Sequence, residues 1–223
     1  MSTDTDRVRR GPGRPRGGDG AATRARIIAA SLELFANHGF RATALAQIAK
    51  DADLSPTALT HHFPHKEALL AEVLALRDQR DREDLDALEP TAPTGWQVLE
   101  RLCRLTLLNS TRPQLVRLFV TVTSEAMDSD HPAHAWTQRH YAEARQAIVD
   151  DLAEGIRTGT VAPETPTEQI ASSALAMMDG LQTQWILSGG SLDMAGAFAT
   201  YVAALHQTYG SAAATPPDAI TTD

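Results

Sequence analysis

The sequence predicts an all-α protein: an N-terminal three-helix head containing a helix-turn-helix, followed by a larger helical body. Three observations carry this. Apolar residues recur at helical spacing in segment after segment, with proline- and glycine-bearing breakers between them. No convincing period-2 run is bounded by turn signals. No internal repeat shows at a period of 20–50 residues, which sets solenoids aside.

Residues 7–18 hold five arginines and no acid among glycines and prolines, and read as a flexible basic arm spanning 1–20. A first helix over 22–38 follows, with Ile28, Leu32 and Phe35 at i, i+4 and i+7 and Gly39 as its stop. Further helices are expected over 44–51, 55–62, 65–88, 96–110, 113–128, 133–158, 167–188 and 192–208. Their separators are Pro64, the Pro90 to Pro93 stretch, Pro113, Pro132, Gly159 to Pro166, and Gly189-Gly190. The tail 210–223 is small, polar and proline-containing and reads as disordered. The expected division is 1–20 arm, 21–68 head, 69–209 body and 210–223 tail.

Charge follows this division. The 223 residues have a formal net charge of −8. Residues 1–70 carry ten basic and seven acidic side chains, and the remainder ten basic and 21 acidic. A basic end on an acidic body points to a polyanionic partner for that end. No apolar run is long enough to span a membrane, and the polar, arginine-rich start is unlike a signal peptide. One cysteine cannot form an internal disulfide, which suits a reducing cytoplasm.

The stretch Thr43–Phe63 holds two short helices joined by Ala52, Asp53 and Leu54, the spacing of a helix-turn-helix. Thr43 is placed to cap the first and Ser55 the second, with Pro56 in the opening turn. Ala49 must be small where the second helix crosses, and Ile48, Leu54 and Leu59 fill the space between. Thr57, Thr60 and His61 are left on a polar face whose hydroxyls and imidazole suit base edges in the major groove. Gly13-Arg14-Pro15-Arg16-Gly17 is similar to the core of AT-hook peptides. Arg14 and Arg16 could lie along a narrow minor groove, or the arm could be a solvated tail.

Residues 22–70 resemble the DNA-binding region of the tetracycline-repressor (TetR) family of transcriptional regulators. The resemblance is carried by Leu34-Phe35, Gly39-Phe40, Ala42-Thr43, Ile48-Ala49, Ala52, Leu54-Ser55, Leu59, His62-Phe63, Lys66-Glu67 and Leu69-Leu70. The sequence departs from the family pattern at Ala44, Asp53, Thr57, Thr60 and His65. Asp53 replaces the usual glycine, and aspartate tolerates the left-handed conformation better than most residues. The resemblance implies phosphate contacts from Thr43 and Lys66, double-stranded DNA as partner, a homodimer and a small-molecule effector. It implies a repressor, released by that effector.

The resemblance further implies a ligand cavity among the central helices. Candidate lining residues are Trp96, Cys103, Phe119, Thr123, Met127, Tyr141, Met178 and Gln182; ordinary core is the alternative for each. It also implies dimerisation through the last two helices, whose larger apolar residues are Leu175, Leu181, Trp185, Phe198, Val202 and Leu205. No P-loop, dinucleotide fingerprint, G-x-S-x-G, H-E-x-x-H or paired-cysteine motif is present, so neither catalysis nor a cofactor is expected. His131, His134 and His140 have a spacing that could hold a metal, but capping and packing are the expected roles.

Overall fold

The computed structural model describes residues 16–88 and 95–211. Among them are nine helices: α1 (Arg16–Ala42), α2 (Leu45–Asp51), α3 (Pro56–His62), α4 (Lys66–Leu88), α5 (Gln97–Ser110), α6 (Pro113–Glu125), α7 (His134–Thr158), α8 (Thr167–Leu187) and α9 (Met194–Tyr209). The ends follow local chemistry. Ser55 Oγ accepts from the Ala58 amide at 3.1 Å and Pro56 opens α3. Pro113 opens α6, and Gly159 ends α7 in the left-handed conformation. His65 Nδ1 accepts from the Ala68 amide at 3.1 Å, so an imidazole caps α4.

Both ends of α1 and the cap of α2 differ from expectation: Gly39, the expected stop, only kinks α1, which runs on to Ala42. Helix α1 starts at Arg16, so residues 16–20, assigned to the arm, belong to the helix. Three glycines in that stretch disfavour helix locally, which is why the pattern starts later. Thr43 does not cap α2; Ala44 occupies that position without a side-chain bond. The Thr43 hydroxyl instead donates to the Gly39 carbonyl at 2.7 Å, inside the head.

Two apolar cores result. The first joins the head to the body: Ile27, Leu34, Phe35, Ile48, Leu59, Phe63, Leu69 and Leu70 pack with Leu118 and Val122 of α6. The buried seam of α1 runs through Ile27, Ser31, Leu34 and Phe35, one position from the expected Ile28–Leu32–Phe35 stripe. Ser31 fits because its hydroxyl donates to the Ile27 carbonyl at 2.7 Å. The second core gathers α5 to α9 around Leu99, Leu152, Ile170, Met178, Trp185 and Phe198.

At the far end of α7 the chain is stitched together. Val161 bridges to Gly210, and the Ala162 amide donates to the Tyr209 carbonyl at 2.8 Å. Trp96 is buried there, its indole N–H donating to the Thr160 carbonyl at 3.4 Å and its ring 5.0 Å from the His206 ring.

Asp151 of α7 serves the start of α5. Its Oδ2 accepts from the Val98 amide at 2.9 Å, while the buried Oδ1 has no partner. Burial lifts its pKa from 3.8 to about 6. A raised carboxylate pKa contributes stability that is complete below the unfolded value and lost as pH rises through the folded one. Asp151→Asn keeps an acceptor for Val98 and removes the buried charge. The variant is expected to melt above the wild type at pH 7.5, with the gap closing towards pH 4.5. Thermal melts of both proteins across that range check this.

Candidate functional site

The head presents one helix outward. Ile48, Ala49 and Leu59 are fully buried between α2 and α3. Asp53 turns the chain at φ 55°, the left-handed conformation at a position without glycine, and Leu54 N–H donates to the Ala49 carbonyl at 2.8 Å. Asp53 therefore keeps the turn. Ser55, Pro56, Thr57, Thr60 and His61 are all exposed, with His62 half-buried behind them. The Thr60 hydroxyl donates back to the Thr57 carbonyl at 3.1 Å, leaving its lone pairs outward.

Two expected phosphate ligands are placed differently. Thr43 is buried and internally bonded, as above. The Lys66 ammonium donates to the carbonyls of Phe40 at 2.7 Å, Thr43 at 2.8 Å and Arg41 at 3.4 Å, and lies 4.2 Å from the Phe40 ring centroid. Its three protons are directed at the carbonyl end of α1, so it works as a cationic clamp on that helix terminus. Arg14 lies outside the described residues; Arg16 is seen only as the first backbone position of α1.

The same corner joins head to body. Glu125, at the end of α6, accepts from the Phe40 amide at 2.7 Å and the Arg41 amide at 3.4 Å. Gly39 permits this approach: its φ is 81°, and a Cβ there would sit 2.4 Å from Glu125 Oε1. Arg41 pairs with Asp128, and the buried His131 ring packs edge-on against Phe40, with Nε2 3.5 Å from Glu125. Burial holds His131 below its ordinary pKa.

Behind this corner lies a cavity of about 770 Å³, lined among others by Phe119, Val120, Thr123, Met127, Thr137, Tyr141, Arg145 and Asp179. A second of about 410 Å³ adjoins it through Phe119, Tyr141 and Asp179, and is lined also by Arg77, His140, Met178 and Gln182. Of the expected lining residues, Phe119, Thr123, Met127 and Tyr141 face the first and Met178 and Gln182 the second. Trp96 and Cys103 line neither. Trp96 closes the remote end of the body, and Cys103 is core, its thiol pushed up to about 12 by burial.

Pattern reading missed the ionisable groups here. The buried Arg77 donates to Asp78 and Asp81, each at 3.1 Å, and lies 4.4 Å from the Phe119 ring centroid. His140 stacks on Trp136 and is held down to about 4 by burial and then by Arg77, so it is neutral near pH 7. Asp179 accepts from the Tyr141 hydroxyl at 2.8 Å. One sequence signal was available: Asp179 is the single charged residue between Glu168 and Asp193. The three histidines with metal-like spacing diverge, His134 bonding the Ala126 carbonyl at 2.8 Å while His131 and His140 pack as described.

Residues 27–73 match the family model for bacterial regulatory proteins of the tetR family, and residues 97–209 match that for the C-terminal region of BetI-type transcriptional repressors. The chain belongs to the TetR family. It is a DNA-binding transcriptional regulator, with α3 in the place of the recognition helix. Among curated TetR-family relatives, the probable regulator ArpR of Pseudomonas putida is 29% identical over 182 residues, covering 78% of this chain and 85% of that protein. The repressor SCO4008 of Streptomyces coelicolor is 27% identical over 176 residues, covering 77% and 87%. A TetR regulator from Chloroflexus aurantiacus shares the fold with a TM-score of 0.76 at 20% identity, covering 86% of this chain and 99% of that one. Among the described residues no helix is long and apolar enough to cross a membrane.

The expected dimer residues of this TetR-family body need correcting. Leu175, Leu181, Trp185, Phe198 and Val202 are buried within the chain's own core, and Leu205 is half-buried. Large apolar residues mark the inward faces of α8 and α9. The outward faces carry Ser172, Ala176, Met177, Gln184 and Leu187 on α8 and Ala203, Ala204 and Gln207 on α9, all exposed and none charged.

Proposed function

We propose that the protein is a repressor that binds a pseudo-palindromic operator as a homodimer and is released by a small molecule bound in the body. The observation that carries this is the double duty of α6. Phe119, Val120, Thr123 and Ser124 line the larger cavity, while Glu125 on the next position grips the Phe40 and Arg41 amides of the head. A ligand that displaces α6 therefore pulls on the corner that orients the helix-turn-helix. For a 100-fold loss of operator affinity, its binding must discriminate the two states by about 2.7 kcal/mol.

The outer faces of α8 and α9, which carry no exposed charge after Glu168 in the first turn of α8, support the dimer. An exposed helix pair normally carries charge, and small residues permit close approach of a second copy. Two heads related by a two-fold axis would present their α3 helices to half-sites about one DNA turn apart. The relatives named as repressors support the direction of regulation.

Selection of genomic fragments by the purified full chain, followed by ligand screening for release, tests this reading. Emergence of an inverted repeat is the expected result; enrichment without any symmetric site would sink it. At the selected site, His61→Ala is expected to cost about 1–3 kcal/mol with an unchanged circular dichroism spectrum. Titrations against the operator and a scrambled duplex at fixed salt check this.

A further inference from the structure

The proposed effector-binding reading leaves the chemistry of the effector open, and the wall of the cavity narrows it. Asp179 sits where the two cavities meet, on α8, where no other charged residue follows Glu168 of the first turn. Its partner among the described residues is a neutral hydroxyl, that of Tyr141 at 2.8 Å. Arg77, the nearest cation in electrostatic terms, is engaged by Asp78 and Asp81 and stacked on Phe119. Burial accordingly lifts the Asp179 carboxyl above its ordinary range despite the guanidinium. Arg145 also lines the larger cavity but is an exposed side chain. A desolvated carboxylate whose neighbouring guanidinium is already engaged by other carboxylates favours a ligand that brings its own positive charge.

The surroundings add detail. Phe119 and Tyr141 line the larger cavity together with Asp179, and aromatic rings attract cations. Gln182, one turn away on α8 and 2% exposed, has a carboxamide oxygen without a partner at the wall of the second cavity. Such an amide adds a hydrogen-bonding group for a polar head. A volume of about 770 Å³ lies within the roughly 300–1,000 Å³ range of sites for drug-sized ligands.

We propose that the effector is a drug-sized organic cation with an apolar body. Its charged nitrogen rests on Asp179 between Tyr141 and Phe119, near the Gln182 carboxamide, and its body fills the larger cavity. The inference rests on the effector-binding reading and specifies its chemistry.

Two xanthene dyes of opposite charge provide the test: cationic rhodamine 6G and anionic fluorescein, each titrated into the full-length protein and followed by anisotropy. Rhodamine 6G is expected to bind at least about 10-fold tighter than fluorescein, and Asp179→Asn to weaken it by about 10- to 100-fold. Equal or tighter binding of fluorescein, no binding of rhodamine 6G, or rhodamine 6G binding indifferent to a folded Asp179→Asn would each overturn the proposal. If that variant does not fold, the dye pair on the wild type decides alone. Operator release is measured in parallel. Release by neutral or anionic compounds, with cations inert, refutes the cation assignment and leaves the effector reading standing. Tight, Asp179-dependent dye binding with operator affinity unchanged refutes release and leaves the cation site standing.

Discussion

Gly39→Ala is expected to destabilise the protein by about 2–4 kcal/mol and to weaken operator binding by more than the loss of folded protein explains. The backbone there has φ 81°, and an added Cβ would meet Glu125 Oε1 at 2.4 Å. With ψ at 168° this is a positive-φ extended conformation essentially confined to glycine, and holding an alanine there costs roughly 1–3 kcal/mol. Moving the carboxylate aside also loses its bonds to the Phe40 and Arg41 amides, and a bond to a charged group is worth about 1.5–3 kcal/mol. Urea denaturation gives the first number and operator titration the second. Glu125→Gln separates the two effects, because it keeps an acceptor without introducing strain at Gly39. An operator affinity for Gly39→Ala that tracks stability alone would mean that the corner holds the fold without orienting the head.

Arg77→Ala is expected to be more damaging, at about 3–5 kcal/mol, because it strands buried carboxylates. The Arg77 side chain is 8% exposed and that of Asp81 12%, and Arg112 approaches Asp81 only to 4.0 Å. Burial already raises the Asp81 pKa, with Arg77 the largest opposing influence, so the variant raises it further. A raised carboxylate pKa means stability lost as pH rises. The deficit against wild type is therefore expected to be larger at pH 8 than at pH 5. Pairing the change with Asp81→Asn should recover a substantial part of it. Chemical denaturation of the two single variants and the double variant gives the coupling directly.

The helical register of the chain was readable because punctuation residues act locally. Ser55-Pro56, Pro113, Gly159 and Gly189-Gly190 each impose a backbone preference that neighbours do not override, and the helices end beside them. The start of α1 was not readable, since glycine-rich sequence speaks against the helix that forms there. Within the head, residue types pointed correctly to the exposed face of α3, where pattern alone separates in from out. Thr43 and Lys66 carry polar groups that could serve either solvent or the backbone, and only the folded path of Gly39–Thr43 shows the backbone bonds they make. The cavity was half legible. Aromatic and sulfur-bearing residues were found by type, but Trp96 and Cys103 have the same chemistry as lining residues and differ only in where the bundle places them. Arg77, Asp81 and Asp179 escaped notice because charged residues in a polar helix, or a lone one in an apolar helix, look solvated until their neighbours are known.

The bridge between Val161 and Gly210 has a practical consequence for handling the protein. Helix α7 has 25 residues and so runs about 37 Å from His134, beside the head, to the loop that receives the end of α9. Ser211, the last of the described residues, therefore lies remote from both α3 and the joint at Glu125. A fluorophore or affinity handle attached after Ser211 reports on the protein without crowding the DNA face. Trimming the chain back into Tyr209 removes the carbonyl that accepts from Ala162, so an end-point for shortening lies just beyond that knot.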